Sequence, residues 1–112
     1  MGKVKVKKYE RAIIDLMQKY RFSAENDEAH IIADSLNHHY QVLRTGWTDE
    51  NTYHLWVKIH FQIKPNDKIW ILENRTEDDV AEALIKRGVD KADIVLGFLP
   101  AYARPYSDYA VA

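Results

Sequence analysis

The clearest pattern in the chain is an alternation: Tyr53, Leu55, Val57, Ile59, Phe61 and Ile63 are interleaved with His54, Trp56, Lys58, His60, Gln62 and Lys64. A period of two places successive side chains on opposite sides of a strand, so this stretch predicts one long strand with a single apolar face. Upstream, Tyr9, Ala12, Ile13, Leu16, Met17 and Tyr20 fall at the spacing of one helical face with polar residues between them, which predicts a helix over about residues 4–22. Looser alternation over residues 29–36 and then 39–47 predicts two strands between the helix and the long strand. Pro65-Asn66-Asp67 reads as a turn, because proline presets φ and Asn and Asp bond to nearby backbone, and residues 68–73 return as a fourth strand.

Thr76 begins a capping-box pattern, Glu77, Asp78 and Asp79 sit where a helix dipole favours acids, and Lys86-Arg87-Gly88 closes the far end. A second helix is therefore expected over about residues 77–87, with Val80, Ala81, Leu84 and Ile85 buried. A turn, a short apolar run over residues 94–98 and an irregular arm carrying Tyr102, Tyr106 and Tyr109 follow. The expected fold is α+β: an N-terminal helix, a four-stranded antiparallel β-meander, a second helix, a short strand and an irregular C-terminal arm, in a single domain over residues 1–112.

Composition fits that reading. With 112 residues, 46% apolar and 29% charged, the chain is long enough to bury one core and too short for a second. No apolar run approaches the roughly 20 residues of a membrane helix and no charged-then-apolar leader opens the chain, so no membrane contact is expected. The absence of cysteine excludes disulfides and thiolate chemistry and fits a cytoplasmic location. A net charge of −1 argues against a protein that holds duplex DNA by itself. Lys3, Lys5, Lys7 and Lys8 form the one dense basic cluster and read as a solvated helix start. Their alternative reading is a DNA-contacting arm.

No catalytic motif occurs: there is no nucleophile elbow, P-loop, dinucleotide fingerprint or zincin helix, and the acids Glu77, Asp78 and Asp79 are accounted for by helix capping. No enzyme activity, catalytic residue or cofactor is expected. Of the five histidines, His54 and His60 lie about 20 Å apart on one strand and cannot share an ion. A turn at residues 48–51 would set His39 opposite His60, but two imidazoles do not complete a zinc site, so no metal is expected. A metal-dependent enzyme at that pair is the further alternative. The same inferred turns set Gln62 opposite Trp70 and His60 opposite Leu72, which gathers Leu43, Trp56, Trp70 and Leu72 on the sheet face away from the first helix. Large apolar residues there would make a partner or self-association surface, unless the second helix and the arm cover them.

Read in order, Lys7-Lys8-Tyr9, Tyr40-Gln41-Val42, Gly46-Trp47, Lys68-Ile69-Trp70-Ile71, Thr76-Glu77, Gly88-Val89, the run Asp93-Ile94-Val95-Leu96-Gly97-Phe98, Pro100, Arg104 and Ala110-Val111-Ala112 form a succession. It resembles the XisI family, the fdxN element excision controlling factors. Pro65-Asn66-Asp67 in place of an Asp-Gly turn and the bulk of Trp56 depart from that pattern. The resemblance implies an accessory role in programmed DNA rearrangement, in which a site-specific recombinase does the cutting and XisI-type and XisH-type proteins control excision. The expected partner is an XisH-type protein, with the recombinase and a second copy of the chain as further partners. The partner-binding set expected from the outer face and the arm is Leu43, Trp56, Trp70, Leu72, Arg104 and Tyr106. Gly46 and Gly97 are expected at turns or close backbone approaches, and Asp93 and Pro100 join Arg104 as polar or rigid positions of the motif.

Overall fold

The computed structural model describes residues 2–112, with side chains from Val4 onward; Lys3 of the basic cluster lies outside the described side chains. The element order is α1 (Gly2–Gln18), β1 (Asp27–Asp34), β2 (His39–Trp47), β3 (Tyr53–Ile63), β4 (Ile69–Asn74), α2 (Val80–Lys86) and β5 (Ile94–Leu96), with short 3₁₀ turns at Lys91–Asp93 and Arg104–Tyr106. The four strands β1 to β4 form the expected antiparallel meander. The short strand β5 joins it in parallel beside β4, so the sheet is five-stranded and mixed, in the order β1-β2-β3-β4-β5. A parallel neighbour requires a crossover, and α2 supplies it.

Both helices pack on the same face of this sheet. Tyr9, Ala12, Ile13, Leu16 and Met17 of α1 and Val80, Ala81 and Leu84 of α2 share one buried cluster with Tyr40, Val42, Ile59, Phe61, Ile63, Ile69, Ile71 and Ile94 from the strands. The helical stripe read from the sequence is thus the core face of α1. The helix ends earlier than expected, at Gln18, because its last turn tightens: the amides of Lys19 and Tyr20 donate to the carbonyls of Leu16 and Met17, three residues back. Tyr20 stays against the core and donates to Asp78, 2.6 Å away.

The second helix also starts later than expected. Thr76 does not cap it; its amide and hydroxyl both donate to Asn74 Oδ1, within a turn that precedes the helix. Asp79 is the N-cap, accepting from the Glu82 amide at 3.0 Å. At the other end Gly88, at φ +94°, donates to the Ile85 carbonyl while Val89 donates to Leu84, the paired bonds of a Schellman motif. Asp67 takes the left-handed conformation (φ 65°) in the β3–β4 turn, so Pro65-Asn66-Asp67 achieves without glycine the reversal that a hairpin needs.

Two bulges decide which side chains face which way. Val42 pairs with Ile59 but Leu43 pairs with Val57, leaving Lys58 as an extra residue in β3; likewise His60 pairs with Glu73 and Phe61 with Ile71, leaving Leu72 extra in β4. The β2–β3 loop, residues 48–52, is one residue longer than the turn expected at 48–51, and together with the bulge at Lys58 this sets His39 opposite Gln62, not His60; the bulge at Leu72 sets His60 opposite Glu73, not Leu72. The pairing of Gln62 with Trp70 is as the turn predicts.

Candidate functional site

The bulge at Lys58 splits the apolar stripe of β3 between the two faces of the sheet. Ile59, Phe61 and Ile63 point into the core and are buried. Past the bulge, Tyr53, Leu55 and Val57 pair with Trp47, Thr45 and Leu43 and lie on the side away from both helices. Tyr53 is 54% and Leu55 61% exposed, against 0% for Ile59. The alternation in the sequence is real, but it does not describe one face.

The outer face of β1 to β3 therefore carries Ile32, Leu43, Trp47, Tyr53, Leu55 and Val57 as its apolar residues. Trp47 and Tyr53 meet edge to face with ring centroids 5.1 Å apart. Beside them lies a notch of about 170 Å³ lined by Glu25, Asn26, Asp27, Glu28, Thr45, Gly46, Trp47 and Tyr53. Its floor is held rigidly. Arg44, on the helix side of β2, makes bonds of 2.7 to 3.2 Å to Asp27 and donates to the Phe22 carbonyl at 2.9 Å. The chain before β1 crosses so close to Gly46 that a Cβ there would collide with the Asn26 carbonyl, the close backbone approach expected of this glycine.

Trp56 does not belong to this surface. It pairs with Arg44 and so lies on the helix side, where the Arg75 guanidinium stands 5.8 Å from its ring. The expected grouping of Leu43 with Trp56 fails because the β2–β3 loop spans residues 48–52, one residue longer than the turn expected at 48–51; Leu43 therefore faces Val57, and a shift of one exchanges the faces. Trp70 and Leu72 do lie on the outer face, at its opposite end, but Trp70 is covered: Lys64 Nζ from the β3–β4 turn and the Arg104 guanidinium from the arm stand 3.9 and 4.7 Å from its ring. Arg104 also donates to the Leu99 carbonyl, so it holds the arm down instead of pairing with an acid. Gly97 lets the chain pass this point, since a Cβ there would come within 2.8 Å of Trp70 and 2.9 Å of Leu72. Tyr106 projects from the arm and is 90% exposed. Asp93 faces inward, accepting from Tyr9 at 2.5 Å and pairing with Lys5 at 2.7 Å; it ties α1 to the turn before β5. Burial and this bond push the Tyr9 hydroxyl up to about 12, which keeps it a neutral donor.

The bulges bring His39 and His60 together diagonally, with His39 Nδ1 3.0 Å from His60 Nε2. Among the described residues no three His, Asp or Glu side chains converge as a metal cluster would require. Burial and then the neighbouring His39 hold His60 below the ordinary histidine value, with Glu73 opposing. No helix among the described residues is long and apolar enough to cross a membrane.

A protein-family model described as XisI protein matches residues 1–111. A search of curated proteins finds no match. Among solved structures, the chain is similar to an XisI-like protein from Anabaena variabilis ATCC 29413, with 36% identity and a TM-score of 0.86 over 96% of this chain and 99% of that one. It is also similar to the fdxN element excision controlling factor XisI from Anabaena variabilis ATCC 29413, with 27% identity and a TM-score of 0.80 over 96% of this chain and 99% of the other. The family model spans nearly the whole chain and the same fold recurs in both structures; the chain belongs to the XisI family.

Proposed function

We propose that this chain is a controlling factor for the site-specific excision of a DNA element, acting without catalysis of its own by binding an XisH-type protein. The excision role is supported by family membership and by the name of the 27% identical structure. The binding role rests on one observation: the outer face of β1 to β3 leaves Ile32, Trp47, Tyr53 and Leu55 between 41% and 61% exposed, and none of the four packs into the core cluster that the described residues of the helices help form. Contiguous exposed apolar residues on one sheet face cost solubility, and they are the usual mark of an interface. The anchor of the interface is then Trp47 and Tyr53 and not Trp56 and Trp70, with Leu43 further along the same face.

Light scattering after size exclusion, on the protein alone and mixed with an XisH-type protein from the same genome, tests it. The expected result is a stable mixed complex that is lost in Trp47→Ala and retained in Trp56→Ala. Two proteins that elute separately, or a complex indifferent to Trp47→Ala, would count against it.

A further inference from the structure

The outer face carries a charge pattern that selects the chemistry of its partner. Its positions are Glu28, His30, Ile32 and Asp34 on β1, His39, Gln41, Leu43, Thr45 and Trp47 on β2, and Tyr53, Leu55, Val57, His60 and Gln62 on β3. Among these described residues there is not one lysine or arginine. The two cations of these strands, Arg44 and Lys58, are both on the helix side: Arg44 binds Asp27 and Phe22, and Lys58 stands 5.7 Å from the ring of Tyr20. Lys5, Lys7 and Lys8 of α1 are on that side too.

What borders the apolar patch is acidic. Glu25, Asp27 and Glu28 line the notch beside Trp47 and Tyr53, and Asp49 and Glu50 stand at the tip of the β2–β3 hairpin. Asp27 is neutralised from below by Arg44, and Asp49 is occupied by the amides of Asn51 and Thr52. Glu25 and Glu28 are exposed, and among the described residues neither has a lysine or arginine within ion-pair distance. The protein as a whole is nearly neutral, so this is a segregation of charge and not an excess of it.

From this arrangement, which rests on the docking role proposed above, we infer that the face receives a protein surface presenting an apolar knob ringed by lysine or arginine. The aromatic pair and Leu55 bury the knob, the carboxylates of Glu25 and Glu28 meet the ring, and a cation entering the notch also finds the Trp47 ring. A nucleic acid backbone is repelled by the same carboxylates. A second copy of the chain would bring acid against acid if the two faces met.

Rim charges act mainly on the rate of association and its response to salt, whereas the apolar anchor acts on dissociation. The experiment follows binding kinetics of the full-length protein to an XisH-type protein from the same genome across a range of salt concentrations. It compares wild type, Glu25→Lys/Glu28→Lys and Trp47→Ala, with circular dichroism to check each fold. Glu25→Gln/Glu28→Gln is the milder variant if the reversal disturbs the chain. The expected result is wild-type association that slows as salt rises, and a charge reversal that slows it by about ten-fold or more at low salt while flattening that dependence. A complex whose association is indifferent to salt and to the reversal would overturn the inference and leave the docking role standing. No complex at any salt would remove both. A wild-type homodimer abolished by Trp47→Ala would assign the face to self-association and overturn the inference as well.

Discussion

At the residue scale, His60 is the group most informative about the sheet. It sits on the outer face between Gln41 and Glu73, 3.0 Å from His39, and is partly buried. Desolvation first and the adjacent imidazole second lower its pKa in the folded state. The native chain therefore binds fewer protons at this site than the unfolded chain, whose value is about 6.5. Stability from this group is fully present above that value and is lost as pH falls below it. The carboxylates with lowered values, among them Glu10 and Asp93, act in the same direction but in a more acidic range. Melting temperature should thus decline as pH is taken from about 7.5 to about 5.5, and His60→Gln should flatten the decline over that window. An equal slope in the variant would show that the pair is solvated and not coupled.

At the element scale, the helices and strands were legible in the sequence because each signal is local. The stripe from Tyr9 to Tyr20 needs no partner to be read, and neither does the alternation from Tyr53 to Ile63. The boundaries shifted where two caps competed. Thr76 and Asp79 are both good N-cap residues, and Asn74 captured Thr76 by accepting its amide and hydroxyl, which left Asp79 to start α2. Replacing Asp79 with alanine should cost about 1 kcal/mol and lower the melting temperature by about 4 °C or more, whereas Thr76→Ala should leave the helix start unchanged. Hydrogen exchange at the Glu82 amide, faster in the first variant only, checks the assignment. The bulges at Lys58 and Leu72 had no local signal of any kind. Which residue is extra depends on what lies opposite, and pairing is a property of two strands. Those bulges, and a β2–β3 loop one residue longer than the expected turn at 48–51, set the members of the outer face: Leu43, Trp70 and Leu72 are on it, Trp56 is not, and Trp47, Tyr53 and Leu55 take its place.

At the scale of the whole molecule, the sheet divides the chain into two sides with different chemistry. One side is the shared core of α1, α2 and the inner strand positions, with lysines and arginines at its margin. The other side is bare over β1 to β3 and covered over β4 and β5, where Arg104 and Lys64 stack on Trp70 and Ala110 bridges to Val95. The covered half shows how this fold treats an outer tryptophan that is not needed at the surface. On the bare half Trp47 is 53% exposed, and no cation stacks on it among the described residues. A face left open in this way fits a subunit that works by being bound, and the proposed role of an excision controlling factor requires only that.

The measurement that bears most directly on this account is hydroxyl-radical footprinting, read by mass spectrometry, of the protein alone and in complex with an XisH-type protein from the same genome. The account predicts that Trp47, Tyr53 and Leu55 lose reactivity in the complex while Trp56 keeps the reactivity it has in the free protein. A complex in which Trp47, Tyr53 and Leu55 remain as reactive as before would contradict it.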